Sequence, residues 1–308
     1  MIIIKPSYTI LHELDQQSLP VRIEYSGRIC YKSEERITED SAIPFVRKMA
    51  AHGHNSVLEM GVVTFRVYGA TQKQIDALFF CQPKYMHIEV EQDNTLLVTA
   101  SIRSYKEFYV NNQDNEIGQA LIIFLAARHP YFYEKIAVPE HGAENLTIKK
   151  LELSEVEQLE GAKLALHRYL GIKFIVNRAV THELVRHRPC SFLQESQRYC
   201  RYSTDRFGNE VTFVQPLFFE QGSPEFELWK KAMEETEQLY LKLLETAPPQ
   251  AARTVLPNSC KTEIIVYTNL LEWQHIVALR TPQNADPSMR EVMVPLSKEL
   301  KQLYPTIF

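Results

Sequence analysis

Glycine is scarce in this 308-residue chain, at 10 positions, and no glycine cluster exists to form a phosphate-cradling loop. Cysteine occurs five times (Cys30, Cys81, Cys190, Cys200, Cys260), an odd number without C-x-x-C spacing. That argues against a disulfide framework or a zinc site, so no metal is expected, and it fits a reducing cytoplasm. No apolar run approaches the roughly 18 residues of a membrane helix, so no membrane partner is expected. The opening residues, MIIIKPSYTI, lack a basic segment followed by an apolar stretch and a small-residue cleavage site, and no signal peptide is expected. Charge of one sign is not in excess either: 34 Lys and Arg face 38 Asp and Glu, a net charge of −4. The whole chain therefore has no attraction for nucleic acid, and only a local basic site remains open. Flexible Gly/Ser linkers, low-complexity segments and internal sequence repeats are absent too.

What is present is globular. Hydrophobic residues make up 45% and charged residues 23%, enough apolar material for a sizeable core. The expectation is one domain over residues 1–308 with a mixed α+β fold: a central, largely antiparallel sheet of four to six strands flanked by long helices. Val62 to Tyr68 reads as a strand, being rich in β-branched and aromatic residues. Ile88 to Glu91 and Leu96 to Ala100 flank Asp93-Asn94 and read as a hairpin. Phe174 to Val176 and Ile264 to Thr268 are further strands. Helices are expected over Ser41–His52 with Ser41 as N-cap, over Ile117–Arg128, and from the capping box Ser154-x-x-Glu157 to about Leu170. Others are expected over Thr181–Arg188, stopping at Pro189, from Ser223-Pro224 to about Glu245, and over Asn269–Arg280 and Pro287–Leu303. Pro139 to Lys150 reads as an exposed loop.

One stretch stands apart. His182 to Tyr202, HELVRHRPCSFLQESQRYCRY, holds four arginines and two histidines inside an acidic protein. Such a concentration of positive charge repels itself unless an anion shares it or Glu183 and Glu195 neutralise it. On a helix Arg186, His187 and Arg188 would fan over about 200 degrees, so they cannot all meet one small ligand through one face. They can serve two ligands, or one shared between subunits. Ser196 and Arg198 would align on one side of an extended segment, where a hydroxyl and a guanidinium make a phosphate grip. Pro189-Cys190 also raises a cysteine nucleophile, but a buried, inert thiol is the expectation.

Arg186-His187-Arg188, followed after seven residues by Ser196 and then Arg198, resembles the RHR-x7-S signature of the flavin-dependent thymidylate synthases. Gly53-His54-Asn55-Ser56-Val57-Leu58-Glu59 resembles that family's GHxSxxEH segment, and Ile102-Arg103-Ser104-Tyr105 its NLRAW helix start. Ala252 to Pro257 (ARTVLP) resembles ARxxLP, Asn269 to Arg280 resembles NxRxxxHFxxLR, and Met289-Arg290-Glu291 resembles the final IRE.

The resemblance implies a cytoplasmic homotetramer with FAD lying between subunits and shared active sites, converting dUMP to dTMP. Methylenetetrahydrofolate would be the carbon source and NADPH the reductant. It implies FAD contacts from Ser56, Arg186, His187, Arg188, Gln194, Asn269 and His275. It places dUMP against Glu183, Arg186, Gln194, Glu195, Ser196, Arg198, Arg253 and Arg280. Arg280 would be the catalytic residue, stabilising negative charge on the pyrimidine. The alternatives are C5 modification of another pyrimidine nucleotide such as UMP, or a catalytically lapsed nucleotide-binding homologue. Met60 stands where His is usual and Leu271 where a flavin-contacting Arg is common; both replace polar groups, so weakened FAD binding is expected.

Overall fold

The computed structural model describes residues 1–204 and 208–308. The first half runs through β1 (Ile2–Ile4), β2 (Ser7–Ile10), α1 (His12–Asp15), α2 (Leu19–Ile29) and α3 (Ala42–Ala51). It continues through β3 (Val62–Tyr68), α4 (Gln72–Phe80), β4 (Met86–Val90), β5 (Leu96–Ser101), α5 (Ile102–Asn111) and α6 (Glu116–Arg128). The second half holds β6 (Thr147–Lys150), α7 (Leu153–Val156), α8 (Gly161–His167), β7 (Tyr169–Asn177), α9 (Arg178–Leu184) and β8 (Ser191–Gln194). It ends with β9 (Thr212–Val214), α10 (Pro224–Thr246), α11 (Pro249–Ala252), β10 (Lys261–Asn269), α12 (Leu270–Arg280) and α13 (Pro287–Leu303).

The fold is mixed α and β with antiparallel sheets, as the composition and patterning imply. Its strands are divided between two four-stranded sheets, of order β4-β5-β3-β6 and β2-β7-β10-β8, with a small parallel pair β1-β9. The larger apolar cluster lies around β3, β5 and α2, and a second lies between β7, β10, α12 and α13.

These two sheets are one plan used twice, although the sequence carries no repeat. Val62 at the start of β3 pairs with Ser101 at the end of β5, and Tyr169 at the start of β7 pairs with Asn269 at the end of β10. Ser101 and Asn269 then cap α5 and α12, accepting from the backbone N–H of Ser104 and Glu272. The backbone N–H of Ile102 donates to Gly61 O, and that of Leu270 to Arg168 O. Tyr105 Oη donates to Val63 O, and Trp273 Nε1 donates to the corresponding carbonyl of Leu170. The edge strands obey the same register: Lys150 faces Phe65 and Ile10 faces Ile172. β2 of the first half pairs with β7 of the second, and β6, which opens the second half, pairs with β3 of the first, so each half lends the other one edge strand. That exchange ties them together through backbone hydrogen bonds as well as apolar burial.

Several elements follow the sequence closely. β3, the β4-β5 hairpin, α6, α10, α12 and α13 fall where patterning places them, and Ser223 Oγ accepts from Phe226 N at 3.1 Å. Others differ. Ser41 precedes α3 but does not cap it, because its hydroxyl donates to Glu24 and accepts from the Thr38 N–H. The capping box at the start of α7 is Glu152–Glu155, not Ser154–Glu157, and the helix stops at Val156. A second short helix, α8, follows, and the chain is already extended at Tyr169. Residues 147–150 of the expected loop pair with β3 as β6. α9 ends at Leu184, before the arginine signature, so Arg186-His187-Arg188 occupies a turn and not a helix. Ser196 likewise opens a turn, its carbonyl accepting from the N–H groups of Tyr199 and Cys200, so Ser196 and Arg198 are not on an extended strand.

Candidate functional site

In the turn after α9, His187 points inward and is buried, while Arg186 and Arg188 are exposed. The side chains diverge as the sequence requires, but by alternation in a turn. His187 packs against α12. Its Nε2 accepts from Arg280 Nε at 3.1 Å, its Nδ1 lies 3.7 Å from Glu272 Oε1, and its ring centre is 6.1 Å from that of His275. Burial, with the charge of Arg280 and the neighbouring His275, lowers the His187 pKa to about 4. The imidazole is therefore neutral at physiological pH and free to accept from a guanidinium. Arg280 also donates to the Glu183 carboxylate and, at 3.2 Å, to the Glu183 carbonyl. It pairs with neither Glu291 nor Asp286.

The phosphate-grip residues assemble elsewhere. Ser196 and Arg198 from the turn after β8, Arg253 from the end of α11, Arg178 from the start of α9 and Ser56 face one cavity of about 350 Å³. Ser196 N donates to Cys30 O at 3.0 Å, which pins the turn to α2. Among the described residues, none of the three guanidinium groups makes an ion pair or a hydrogen bond to protein; Arg198 only lies over the Tyr199 ring, at 5.5 Å. Three like charges converging on one cavity without a carboxylate partner form an anion site, and a phosphate answers it with bidentate geometry.

Beneath that cavity a buried ion network fixes the floor. Lys261 Nζ donates to Glu195 at 2.9 Å and Glu263 at 2.7 Å, Lys32 donates to Glu263 at 2.9 Å, and Tyr202 Oη donates to Glu195 at 2.7 Å. Burial works against the Glu263 carboxylate, but Lys261 and Lys32 overcome it and hold its pKa at about 2. Glu195 lines the cavity yet has both carboxylate oxygens committed. Gln194 donates its amide to Thr181 and Thr262, each at 3.1 Å, so it too is held from below.

The expected site residues thus fall into separate groups within one chain. Ser56, expected with FAD, lines the cavity that holds Ser196, Arg198 and Arg253, while Glu183, His187, His275 and Arg280 sit together at α12 and line no part of it. Arg188 faces a second cavity. Asn269 is buried, caps α12 and donates to Leu166 O at 3.1 Å. Cys190 is buried and its thiol is pushed up to about 12 by burial, so it offers no thiolate. Met60 is 2% exposed and belongs to the core; it replaces no polar group at a cavity, correcting that expectation. Leu271 is 47% exposed on α12. Sequence reasoning missed Arg178, His54 and Tyr31, all at the phosphate cavity. Arg178 follows the N-cap Asn177, but only the fold brings it to Arg253.

An arginine-lined cavity on an antiparallel α+β scaffold has the donor chemistry that suits a phosphate-bearing ligand. Comparison with known proteins narrows the class. A family model described as "Thymidylate synthase complementing protein" matches residues 14–75 and 162–306, more than half of the chain, and the chain belongs to that family. It is 40% identical over 125 residues to the flavin-dependent thymidylate synthase of Pyrococcus furiosus, covering 40% of this chain and 50% of that one. It is 33% identical over 149 residues to the enzyme of that name from Corynebacterium glutamicum, covering 43% and 57%. With its namesake from Geobacter sulfurreducens it shares 34% over 134 residues, covering 43% and 56%. The chain spans about half the length of the curated relatives it matches. Residues 76–161, which hold most of the first half's sheet, lie outside the family match. Among the described residues, no helix is long and apolar enough to cross a membrane.

Proposed function

We propose that this protein methylates dUMP at C5 to give dTMP, with FAD as cofactor and methylenetetrahydrofolate and NADPH as co-substrates, in a homotetramer whose sites are shared between subunits. The observation that carries this reading is the convergence of Arg178, Arg198 and Arg253 with Ser196 and Ser56 on one cavity in a chain of this family. Arg198, Arg253 and Ser196 bind the nucleotide phosphate, and the buried Lys261–Glu195 pair keeps their turn in place. The surface residues Arg186 and Arg188, which make no ion pair among the described residues, suit the diphosphate of FAD, so the donor set fits the cofactor. His275 and neutral His187 lie beside them. Bound flavin supplies hydride; the protein's own residues supply position and charge. Arg280 meets the pyrimidine edge from a partner subunit's cavity, where its fork stabilises negative charge as C5 becomes nucleophilic. No protein nucleophile is used, in keeping with the buried Cys190 thiol.

The test is direct. The purified protein, reconstituted with FAD and given dUMP, methylenetetrahydrofolate and NADPH, should form dTMP, and its gene should restore growth to a thymidine-requiring bacterium. No dTMP from a protein that retains FAD would refute the reading.

A further inference from the structure

The twofold plan of the fold brings loop 185–190, which carries the arginine signature, against the start of α5 in the other half. By strand register, Thr99 of β5 corresponds to Tyr267 of β10, and their partners His87 and Ser191 correspond to each other. The two seams are therefore equivalent places with different side chains. At one, His87 Nε2 lies 3.3 Å from Asn269 Nδ2, so the two side chains meet. At the other, Ser191 and Ser101 are too small to meet, and a cavity of about 230 Å³ opens between them.

Its walls have a definite chemistry. Arg188 comes from the signature turn and Tyr169 from β7; Tyr85, Arg103 and Glu107 come from the first half, outside the family match. Arg103 donates from Nε to Glu107 at 2.7 Å and pairs with Glu59, which also lines the cavity. Arg103 is neutralised by Glu59 and Glu107, so no unpaired cation on this wall selects an anion. Fixed guanidinium donors and carboxylate acceptors in a cavity also lined by Tyr85 and Tyr169 suit a flat, uncharged heterocycle with N–H and C=O groups on its edge. Arg103 also stands at the helix position that Leu271 occupies in α12, two residues after the cap. The first half thus carries the cation that the second half lacks.

We propose that this cavity receives the pteridine ring system common to flavin and reduced folate, with Tyr85, Arg103 and Glu107 of the first half forming one wall. The proposal rests on the flavin- and folate-using reading above. On it, the segment outside the family match is part of the site, and one chain supplies a wall from its own second copy of the fold.

The test uses the full chain. FAD binding is followed by quenching of flavin fluorescence, binding of 5-formyltetrahydrofolate by protein fluorescence, and folding by melting curves. Tyr85 is 77% exposed, so Tyr85→Ala should leave the melting temperature unchanged. It should weaken whichever ligand occupies the cavity by about tenfold, the scale of one lost aromatic stack. Tyr85→Phe should restore it, and Glu107→Gln should weaken the same ligand. An effect on FAD alone identifies the ring as flavin, and an effect on folate alone identifies it as pterin. Wild-type affinity for both ligands in Tyr85→Ala and Glu107→Gln would overturn the proposal and leave the broader reading intact. Failure of the unsubstituted protein to bind either ligand would overturn both.

Discussion

Arg280 Nε donates to His187 Nε2 at 3.1 Å. The bond joins the end of α12 to the middle of the arginine signature, 93 residues apart in sequence. It exists only with His187 neutral and its proton on Nδ1, toward Glu272. It also leaves Arg280 clamped by Glu183, so the guanidinium is oriented before any ligand arrives. Substitution of Arg280 by Ala should lower kcat by roughly 10²–10³-fold, like the loss of one oxyanion donor. Arg280→Lys keeps charge without the planar fork and should recover only part of that rate. Steady-state kinetics checked against melting curves decide this; an intact kcat with a lowered melting temperature would make Arg280 purely structural.

Arg198 and Arg253 should fail differently. A phosphate keeps its charge through the reaction, so removing either arginine is a uniform binding loss. Arg198→Ala and Arg253→Ala should each raise KM for dUMP by roughly ten- to a hundredfold with kcat little changed. Titration with dUMP under saturating co-substrates measures it.

Acid should destabilise the fold from about pH 6.5 downward. Burial, chiefly, lowers both His167 and His187 from an ordinary value of 6.5 to about 4. Between these values the unfolded chain binds protons that the native one refuses, so stability falls as pH falls. Glu263, held at about 2 against an ordinary 4.5, extends the loss below pH 4.5. Melting temperatures from pH 7.5 to 4 should fall most steeply below 6.5. His167→Gln should flatten the curve, since a neutral side chain does not titrate.

Lys261 is the hub of the ion network under the phosphate cavity. Lys261→Met leaves Glu195, 2% exposed, and Glu263, 6% exposed, without their shared cation. Removing one partner of a buried pair costs about 3–5 kcal/mol. Urea unfolding should report that loss, whereas Arg198→Ala, at an exposed site, should shift the midpoint little.

Met60 and Leu271 should separate cleanly. Met60→His puts a polar ring among Val57, Leu58 and their neighbours and should cost about 2–4 kcal/mol in stability, with no gain in cofactor affinity. Leu271→Arg adds a cation on the exposed face of α12 and should tighten FAD binding without changing the melting temperature. Equal thermal losses in the two variants would contradict their placement.

Local chemistry was fixed by the chain itself. Ser223 and Asn269 start helices because their side chains accept from first-turn N–H groups, and the β-branched and aromatic VVTFRVY favours the strand it forms. The signature residues were legible for the same reason: an arginine cluster in an acidic protein is a charge anomaly that needs no fold to be noticed. Tertiary structure decided the rest. α8 stops at His167 because Tyr169 onward must extend to pair with β10. The duplicated plan is invisible in sequence because pairing register and capping geometry constrain backbone hydrogen bonds and burial, which Tyr105 and Trp273, or Ser101 and Asn269, satisfy equally well. Arg178 reaches Arg253, and Arg188 faces Arg103, only through sheet topology, since separation along the chain says nothing about which strands become neighbours.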